Sequence, residues 1–152
     1  MKILREDQIS TAILDGKRVA VIGFGAQGHA HALNLRDSGI QVTVATRSEG
    51  RGFDRARQAG FEPVAITQAV QTSDVIILAL PDESMPEIYA SEIAPHLHSG
   101  QAIGFIHGFN IRFGFIVPRS DVDVVMVSPK GPGYQLRDEF VAGSGLACFL
   151  AV

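Results

Sequence analysis

The chain has 152 residues, 46% of them hydrophobic, and its 13 Lys and Arg against 16 Asp and Glu give a formal net charge of −3 at pH 7. This length leaves room for one globular domain, and the negative balance excludes a broad positive field for nucleic acid or anionic lipid. The single cysteine, Cys148, excludes an internal disulfide framework. One free thiol fits a reducing compartment, so we expect a cytoplasmic protein.

No apolar run approaches the roughly 20 residues of a membrane-spanning helix. Met1–Asp7 reaches acidic residues before any long apolar stretch, so we expect no secretory signal and no membrane partner. At the other end, Ala147–Val152 is an apolar run without a turn, cap or charged tail. Because chain ends are usually polar and exposed, we expect that a larger protein continues after Val152.

Short apolar runs alternate with amphipathic stretches from Arg18 onward, a rhythm typical of successive βαβ units. The sequence therefore predicts an α/β fold, a Rossmann-like doubly wound and mainly parallel sheet in one domain of residues 1–152. We predict strands at Arg18–Ile22, Gln41–Ala45, Pro63–Ala65, Asp74–Leu80, Gln101–Ile106, Asp123–Val127 and Leu146–Ala151. We predict helices at Gln27–Asp37, Phe53–Ala59, Thr67–Thr72, Ser84–His96 and Tyr134–Val141. A further helix at Glu6–Leu14, within residues 1–16, is expected to brace the domain from outside.

A GxGxxG motif follows the first predicted strand directly and opens the first long helix. Its residues are Gly23, Phe24, Gly25, Ala26, Gln27 and Gly28. In this context the first glycine makes a tight turn, the second admits a pyrophosphate to the backbone, and the third lets helix and strand pack closely. The helix N-terminus then faces the phosphates. The alternative is a strand-to-helix turn that is merely tight.

The end of the second predicted strand indicates which dinucleotide fits. A NAD site usually carries an acidic residue there for the ribose hydroxyls, whereas this chain has Arg47, followed by Ser48 and, after Glu49, by Gly50, Arg51 and Gly52. A guanidinium fork suits a 2′-phosphate, so the loop favours NADP(H). The alternative is a solvated surface arginine, and Glu49 is close enough in sequence to pair with either arginine.

Two more segments lie at predicted carboxyl ends of strands, where ligands of open α/β sheets bind. The first is Pro81, Asp82, Glu83, Ser84 and Met85, in which Ser84 is placed to cap the next helix and the two acids either complement the helix dipole or act as an acid/base pair. The second set is His107, after the fifth predicted strand, and Lys130, after the sixth. His107 is a candidate acid/base and Lys130 a candidate oxyanion or carboxylate binder, or His107 is a structural group.

Four motifs, in order, carry a resemblance to a known family. They are Val19–Leu35, Pro81–Glu83, His107–Ile111 and Pro129–Gly133. They closely resemble the amino-terminal domain of ketol-acid reductoisomerase of the short-chain class, over essentially the whole chain. That family converts 2-acetolactate or 2-aceto-2-hydroxybutyrate to dihydroxy acids in branched-chain amino-acid synthesis, by magnesium-dependent alkyl migration followed by NADPH reduction.

The resemblance implies that His107 and Lys130 are the catalytic residues. It implies cofactor contacts at Phe24–Gln27, at Arg47 and the loop to Gly52, at Asp82–Met85, and at Gly133. The chain departs from the family at Ala26, Gly50 and Gly52, where family members often have serines, so the two arginines of the loop are left to select NADPH. Tyr134 stands where a histidine is usual.

The resemblance also places the magnesium carboxylates in a carboxyl-terminal knotted helical domain after Val152, so we expect magnesium in the complete enzyme only. The main hypothesis is thus an NADPH-binding domain that is inactive without that domain. The alternatives are a stand-alone nucleotide-binding or regulatory module, and a small hydride-only reductase whose substrate pocket a dimer builds. The sequence leaves the oligomeric state open between a monomer and a homo-oligomer.

Overall fold

A computed structural model describes residues 8–10 and 12–152, and within these residues six strands form one sheet in the order β2-β1-β3-β4-β5-β6. The strands are β1 Arg18–Ile22, β2 Gln41–Ala45, β3 Val75–Leu78, β4 Ala102–Phe105, β5 Asp123–Pro129 and β6 Cys148–Ala151. The first five are parallel, and β6 pairs antiparallel with β5. The predicted fold class is therefore confirmed.

Six α-helices connect the strands of the described ranges. They are α1 Ala26–Asp37, α2 Arg51–Gln58, α3 Ile66–Thr72, α4 Met85–Ile88, α5 Phe109–Arg112 and α6 Gly133–Val141. A π-helical turn at Tyr89–Ile93 and a 3₁₀ turn at Ala94–His96 continue α4. Together these cover the predicted Ser84–His96 helix, which is a composite of three helical types.

The strands β1, β3 and β4 are buried or half-buried along most of their length because helices cover both faces of this part of the sheet, as parallel strands require. All four residues of β6 are exposed. Four of the five β1 residues are fully buried. On one face α1 and α2 bury Val21, Val44 and Phe61. On the other face α3, α4 and the turns after it bury a larger core around Ile76 and Ile103. Because these two layers of helices cover the faces of the sheet, ligands can reach it at the ends of its parallel strands.

Two predicted elements differ from the structure in kind, and several others differ in their bounds by one or two residues. Pro63–Ala65 is not a strand but forms a single bridge between Val64 and Ala45. The segment has only three residues and begins with a proline, which has no N–H, so it offers too few ladder hydrogen bonds. The predicted Glu6–Leu14 helix lies in part outside the described residues; its described end is a 3₁₀ turn at Ala12–Leu14 without buried residues. No helix in the described part of the chain is long and apolar enough to cross a membrane.

Candidate cofactor and active site

The glycine loop lies at the carboxyl end of β1, an interior strand that has β2 on one side and β3 on the other, so that the strand order reverses beside it. Gly23 has φ +95°, and a Cβ there would lie 2.5 Å from the carbonyl oxygen of Ala79. A Cβ on Gly28 would overlap the carbonyl oxygen of Gly23 and lie 3.0 Å from Ala79 Cβ. Two of the three glycines are therefore required by the fold itself, through a left-handed turn and a close helix–strand approach.

Gly25 differs from the other two glycines because a Cβ there would meet nothing within 4 Å. The first helical bond of α1 runs from the His29 N–H to the Gly25 carbonyl, at 2.9 Å. The N–H groups of Ala26, Gln27 and Gly28 therefore have no acceptor within the helix and carry its positive dipole end. Open space over Gly25 beside three free donors is the cradle that a pyrophosphate needs.

The turn that carries Lys130 is attached to this cradle. Gln27 Nε2 donates to the Gly131 carbonyl at 2.9 Å, and Gly133 packs so closely on α1 that a Cβ there would overlap the Ala26 carbonyl. The structure thus brings two segments that are about a hundred residues apart in sequence to the same end of α1. Any displacement of the glycine loop is expected to move the Lys130 turn with it.

The loop after β2 extends into solvent beside the glycine loop. Arg47 and Arg51 are both exposed, and no ion pair among the described residues joins Glu49 to either of them. Gly50 has φ +110° and precedes α2 without a side-chain cap. Because a serine is strained at that φ, the glycine at position 50 is set by the backbone and adds no hydroxyl. The loop still exposes one hydroxyl, that of Ser48, beside the two guanidinium groups.

Three of the predicted cofactor contacts have restricted side chains. Phe24 is 2% exposed and packs its ring edge-on against Phe61 at 5.6 Å, and Met85 is 1% exposed. Only their main chains can reach a ligand. Ser84 precedes α4 but makes no side-chain cap; its hydroxyl donates instead to the Pro81 carbonyl at 3.3 Å. The predicted capping role of Ser84 is wrong, since its own backbone is already in the helical region.

The two predicted catalytic residues follow the neighbouring strands β4 and β5. His107 is exposed, and its Nδ1 lies 2.8 Å from Asp82 Oδ2. Asn110 Nδ2 donates to the Asp82 main-chain carbonyl at 3.1 Å and to Asp82 Oδ1 at 3.3 Å. Sequence reasoning missed Asn110 and this pairing; the only signal was the position of Asn110 one turn after His107 in the motif.

Lys130 is exposed and makes two contacts at the sheet edge. Its Nζ donates to Ser128 Oγ at 3.2 Å and lies 4.2 Å from the centroid of the Phe149 ring. The ammonium group is thereby held by a hydroxyl and an aromatic face, both of which leave its charge uncompensated. Lys130 thus supplies a positive group to the edge at which His107 also lies.

A cleft of about 490 Å³ borders the first turn of α1 on the side of α2 and α6, and His29, Arg55 and Arg137 line it. Burial, followed by the charges of Arg137 and Arg55, lowers the pKa of His29. Arg55 therefore adds positive potential beside the start of α1, whereas the Arg137 guanidinium is paired with the Asp37 carboxylate. The His29 ring also lies edge-on to the Phe24 ring, at a centroid distance of 5.4 Å.

No group of three or more His, Cys, Asp and Glu side chains within residues 8–10 and 12–152 is arranged to hold a metal ion. Asp138, which is followed by Glu139, is exposed on α6. We therefore assign no magnesium ligand among the described residues.

A family model described as the NADPH-binding domain of acetohydroxy acid isomeroreductase matches residues 13–152. A solved NADH-preferring ketol-acid reductoisomerase from an uncultured archean is 42% identical, with a TM-score of 0.97 over 100% of this chain and 47% of the archaean one. The chain thus spans about half the length of that relative.

Other solved structures share the fold. An NAD-binding semialdehyde dehydrogenase protein from Cupriavidus necator, in complex with calcium and NAD, is 30% identical with a TM-score of 0.68, over 75% of this chain and 41% of that one. The 3-hydroxyisobutyrate dehydrogenase of Mycobacterium tuberculosis, at 15% identity and a TM-score of 0.69, covers 89% of this chain and 46% of its own. The shared fold does not by itself give the family; the match of the family model and the 42% identity do. The chain belongs to the ketol-acid reductoisomerase (acetohydroxy acid isomeroreductase) family.

Proposed function

We propose that this chain is the NADPH-binding part of a ketol-acid reductoisomerase and binds the dinucleotide across the glycine loop. The observation that carries the proposal is the cradle at Gly25, where open space adjoins three N–H groups without a helical acceptor. The pyrophosphate would lie on the N-terminus of α1, and the neighbouring loops would hold the two nucleoside halves. The proposed contacts are Gly23–Gly28, Arg47, Ser48, Gly50–Gly52, Pro81–Met85 and Gly133.

Arg47 and Arg51 would bind the 2′-phosphate that distinguishes NADPH from NADH. Both are exposed and free of described ion pairs, so no internal partner competes with the phosphate. A charge-assisted hydrogen bond contributes about 1.5 kcal/mol or more, which corresponds to roughly 10-fold in affinity.

A second candidate is a preference for NADH, as in the archaean relative. It is favoured by Gly50 and Gly52, which supply no hydroxyl to a 2′-phosphate, and by the φ of Gly50, which fixes a glycine-specific loop. A comparison of the two dinucleotides with the same protein decides between these cofactors.

His107 and Lys130 would contact the acetohydroxy acid in the complete enzyme. Bound NADPH supplies the hydride for reduction of the keto group. The exposed Lys130 ammonium would attract the substrate carboxylate or a developing oxyanion, and the ring nitrogen of His107 would exchange a hydrogen bond with its hydroxyl. We further propose that carboxylates outside this chain hold the magnesium that alkyl migration requires. We also propose that the complete enzyme is cytoplasmic.

Calorimetric titration of the purified chain with NADPH and NADH tests the proposal. We expect NADPH to bind more tightly, and Arg47→Ala to weaken NADPH binding about 10-fold while it leaves NADH binding unchanged. Arg57→Ala, which removes an exposed arginine from the far end of α2, is the matched control. Binding of neither dinucleotide would contradict the proposal, and equal or tighter binding of NADH would favour the second candidate.

A further inference from the structure

The contact between His107 and Asp82 follows from the order of the strands. Asp82 lies in the loop after β3 and His107 in the loop after β4, and these strands are parallel neighbours, with Leu78 opposite Phe105. Their carboxyl ends therefore meet at one edge, and the His107 Nδ1 comes to lie 2.8 Å from Asp82 Oδ2. An ionised carboxylate only accepts hydrogen bonds, so Nδ1 is the donor.

The Asp82 carboxylate itself accepts a hydrogen bond from a buried amide. Asn110 is 1% exposed, and its amide donates both to the main-chain carbonyl of Asp82 and to Oδ1. One carboxylate oxygen is thus bound to the buried amide, while the other faces the imidazole. The Phe109 ring lies nearly parallel to the imidazole, at an interplanar angle of 7° and a centroid distance of 6.4 Å.

We infer that Asp82, held by Asn110, is a positioning residue that keeps the His107 ring in the tautomer with its proton on Nδ1. The hydrogen bond of one ring nitrogen decides the protonation of the other. Nε2 has no hydrogen-bond partner within the described residues, so it is left with a free lone pair. This inference rests on the proposed function for the role of His107: toward an acetohydroxy acid, His107 is a hydrogen-bond acceptor at Nε2 for the substrate hydroxyl.

The tautomer can be measured in the chain without any cofactor. Long-range ¹H–¹⁵N spectra of protein with ¹⁵N-labelled histidine, taken at a pH at which the ring is neutral, distinguish the protonated from the lone-pair nitrogen. We expect Nδ1–H and an unprotonated Nε2 in the wild-type chain. Asp82→Ala should shift the ratio of the two tautomers toward Nε2–H by about 10-fold.

Glu87→Ala is the matched control, because it removes an exposed carboxylate from α4, the helix that follows the Asp82 loop, and should leave the His107 tautomer unchanged. Asp82→Asn is a near-isosteric second variant that answers the question if Asp82→Ala does not fold. It should shift the ratio in the same direction, because the neutral amide is a weaker acceptor. The amide spectrum of the rest of the chain reports the fold of each variant.

Two results would overturn the inference: a wild-type ring with its proton on Nε2, or a ring in folded Asp82→Ala and Asp82→Asn proteins that stays in the Nδ1–H form. The NADPH titration separates this failure from that of the proposed function. A chain with the Nδ1–H tautomer that binds no NADPH contradicts the proposed function and supports the positioning role. A chain that binds NADPH with His107 in the Nε2–H form contradicts the positioning role alone.

Discussion

Two glycines of the same loop should respond to alanine in opposite ways. In Gly28→Ala the new methyl group would overlap the Gly23 carbonyl and press on Ala79. Neither group can move away easily, because they directly follow β1 and β3, which are interior strands of the sheet. Overpacking of this kind costs about 1–3 kcal/mol, and it must exceed the roughly 1 kcal/mol by which helix propensity favours alanine. Because the new Cβ would lie only 2.1 Å from a backbone oxygen, we take the upper end of that cost and expect a net loss of about 2 kcal/mol in the free energy of unfolding, or about 4–8 °C in Tm.

Gly25→Ala should spare the fold and impair binding. Its methyl group meets nothing within 4 Å, and the residue has φ −78°, so the free energy of unfolding should fall by less than about 1 kcal/mol. The same methyl group lies where the pyrophosphate must approach, so the affinity for NADPH should fall. Urea unfolding measures the first effect and calorimetry the second. The reasoning is refuted if Gly28→Ala is as stable as the wild type, or if Gly25→Ala binds NADPH as tightly as the wild type does.

Two further predictions concern stability. Gln101 is 5% exposed; its side chain donates to the Val70 and Ser73 carbonyls and accepts from the His98 N–H. Gln101→Leu leaves these three main-chain groups unpaired and should lower the free energy of unfolding in urea by about 2–4 kcal/mol. A decrease below about 0.5 kcal/mol would contradict this. Burial lowers the pKa of His31, so His31 binds a proton more readily in the unfolded chain than in the folded one. The contribution of the neutral His31 to the free energy of unfolding is therefore complete above about pH 6.5 and declines as the pH falls below that value. Urea unfolding at pH 7.5 and 5.5 should show this decline, and His31→Gln should reduce it; an unchanged slope would refute the assignment.

The sheet could be predicted because its signal is local. Arg18–Ile22 has four consecutive apolar residues and Gln41–Ala45 alternates polar with apolar ones, and the structure has strands with these bounds. The antiparallel direction of β6 could not be predicted, since it depends on the path of the chain after α6. The short helix α5 was missed because Phe109–Arg112 has only four residues, too few for a helical period.

In the candidate site too, the residues marked by local motifs could be predicted from the sequence, whereas the long-range contacts between them could not. The positions of the glycine loop and of His107 at carboxyl ends of strands follow from short motifs beside apolar runs. The pairing of Asp82 with His107 joins residues 25 apart in sequence, and the bond from Gln27 to Gly131 joins residues 104 apart. Such contacts are set by strand order, which apolar periodicity does not encode. The burial of the Phe24 and Met85 side chains likewise required the packed core.

The central claim is that a nicotinamide dinucleotide lies across the carboxyl edge of the sheet, on the N-terminus of α1. Amide ¹H–¹⁵N spectra of the chain recorded during a titration with NADPH test it most directly. The account predicts concerted shifts in three separate loops, at Gly23–Gly28, Arg47–Gly52 and Pro81–Met85, with the opposite edge, at Lys17 and Gly100, unaffected. Shifts confined to that opposite edge, or no shifts at saturating NADPH, would contradict it.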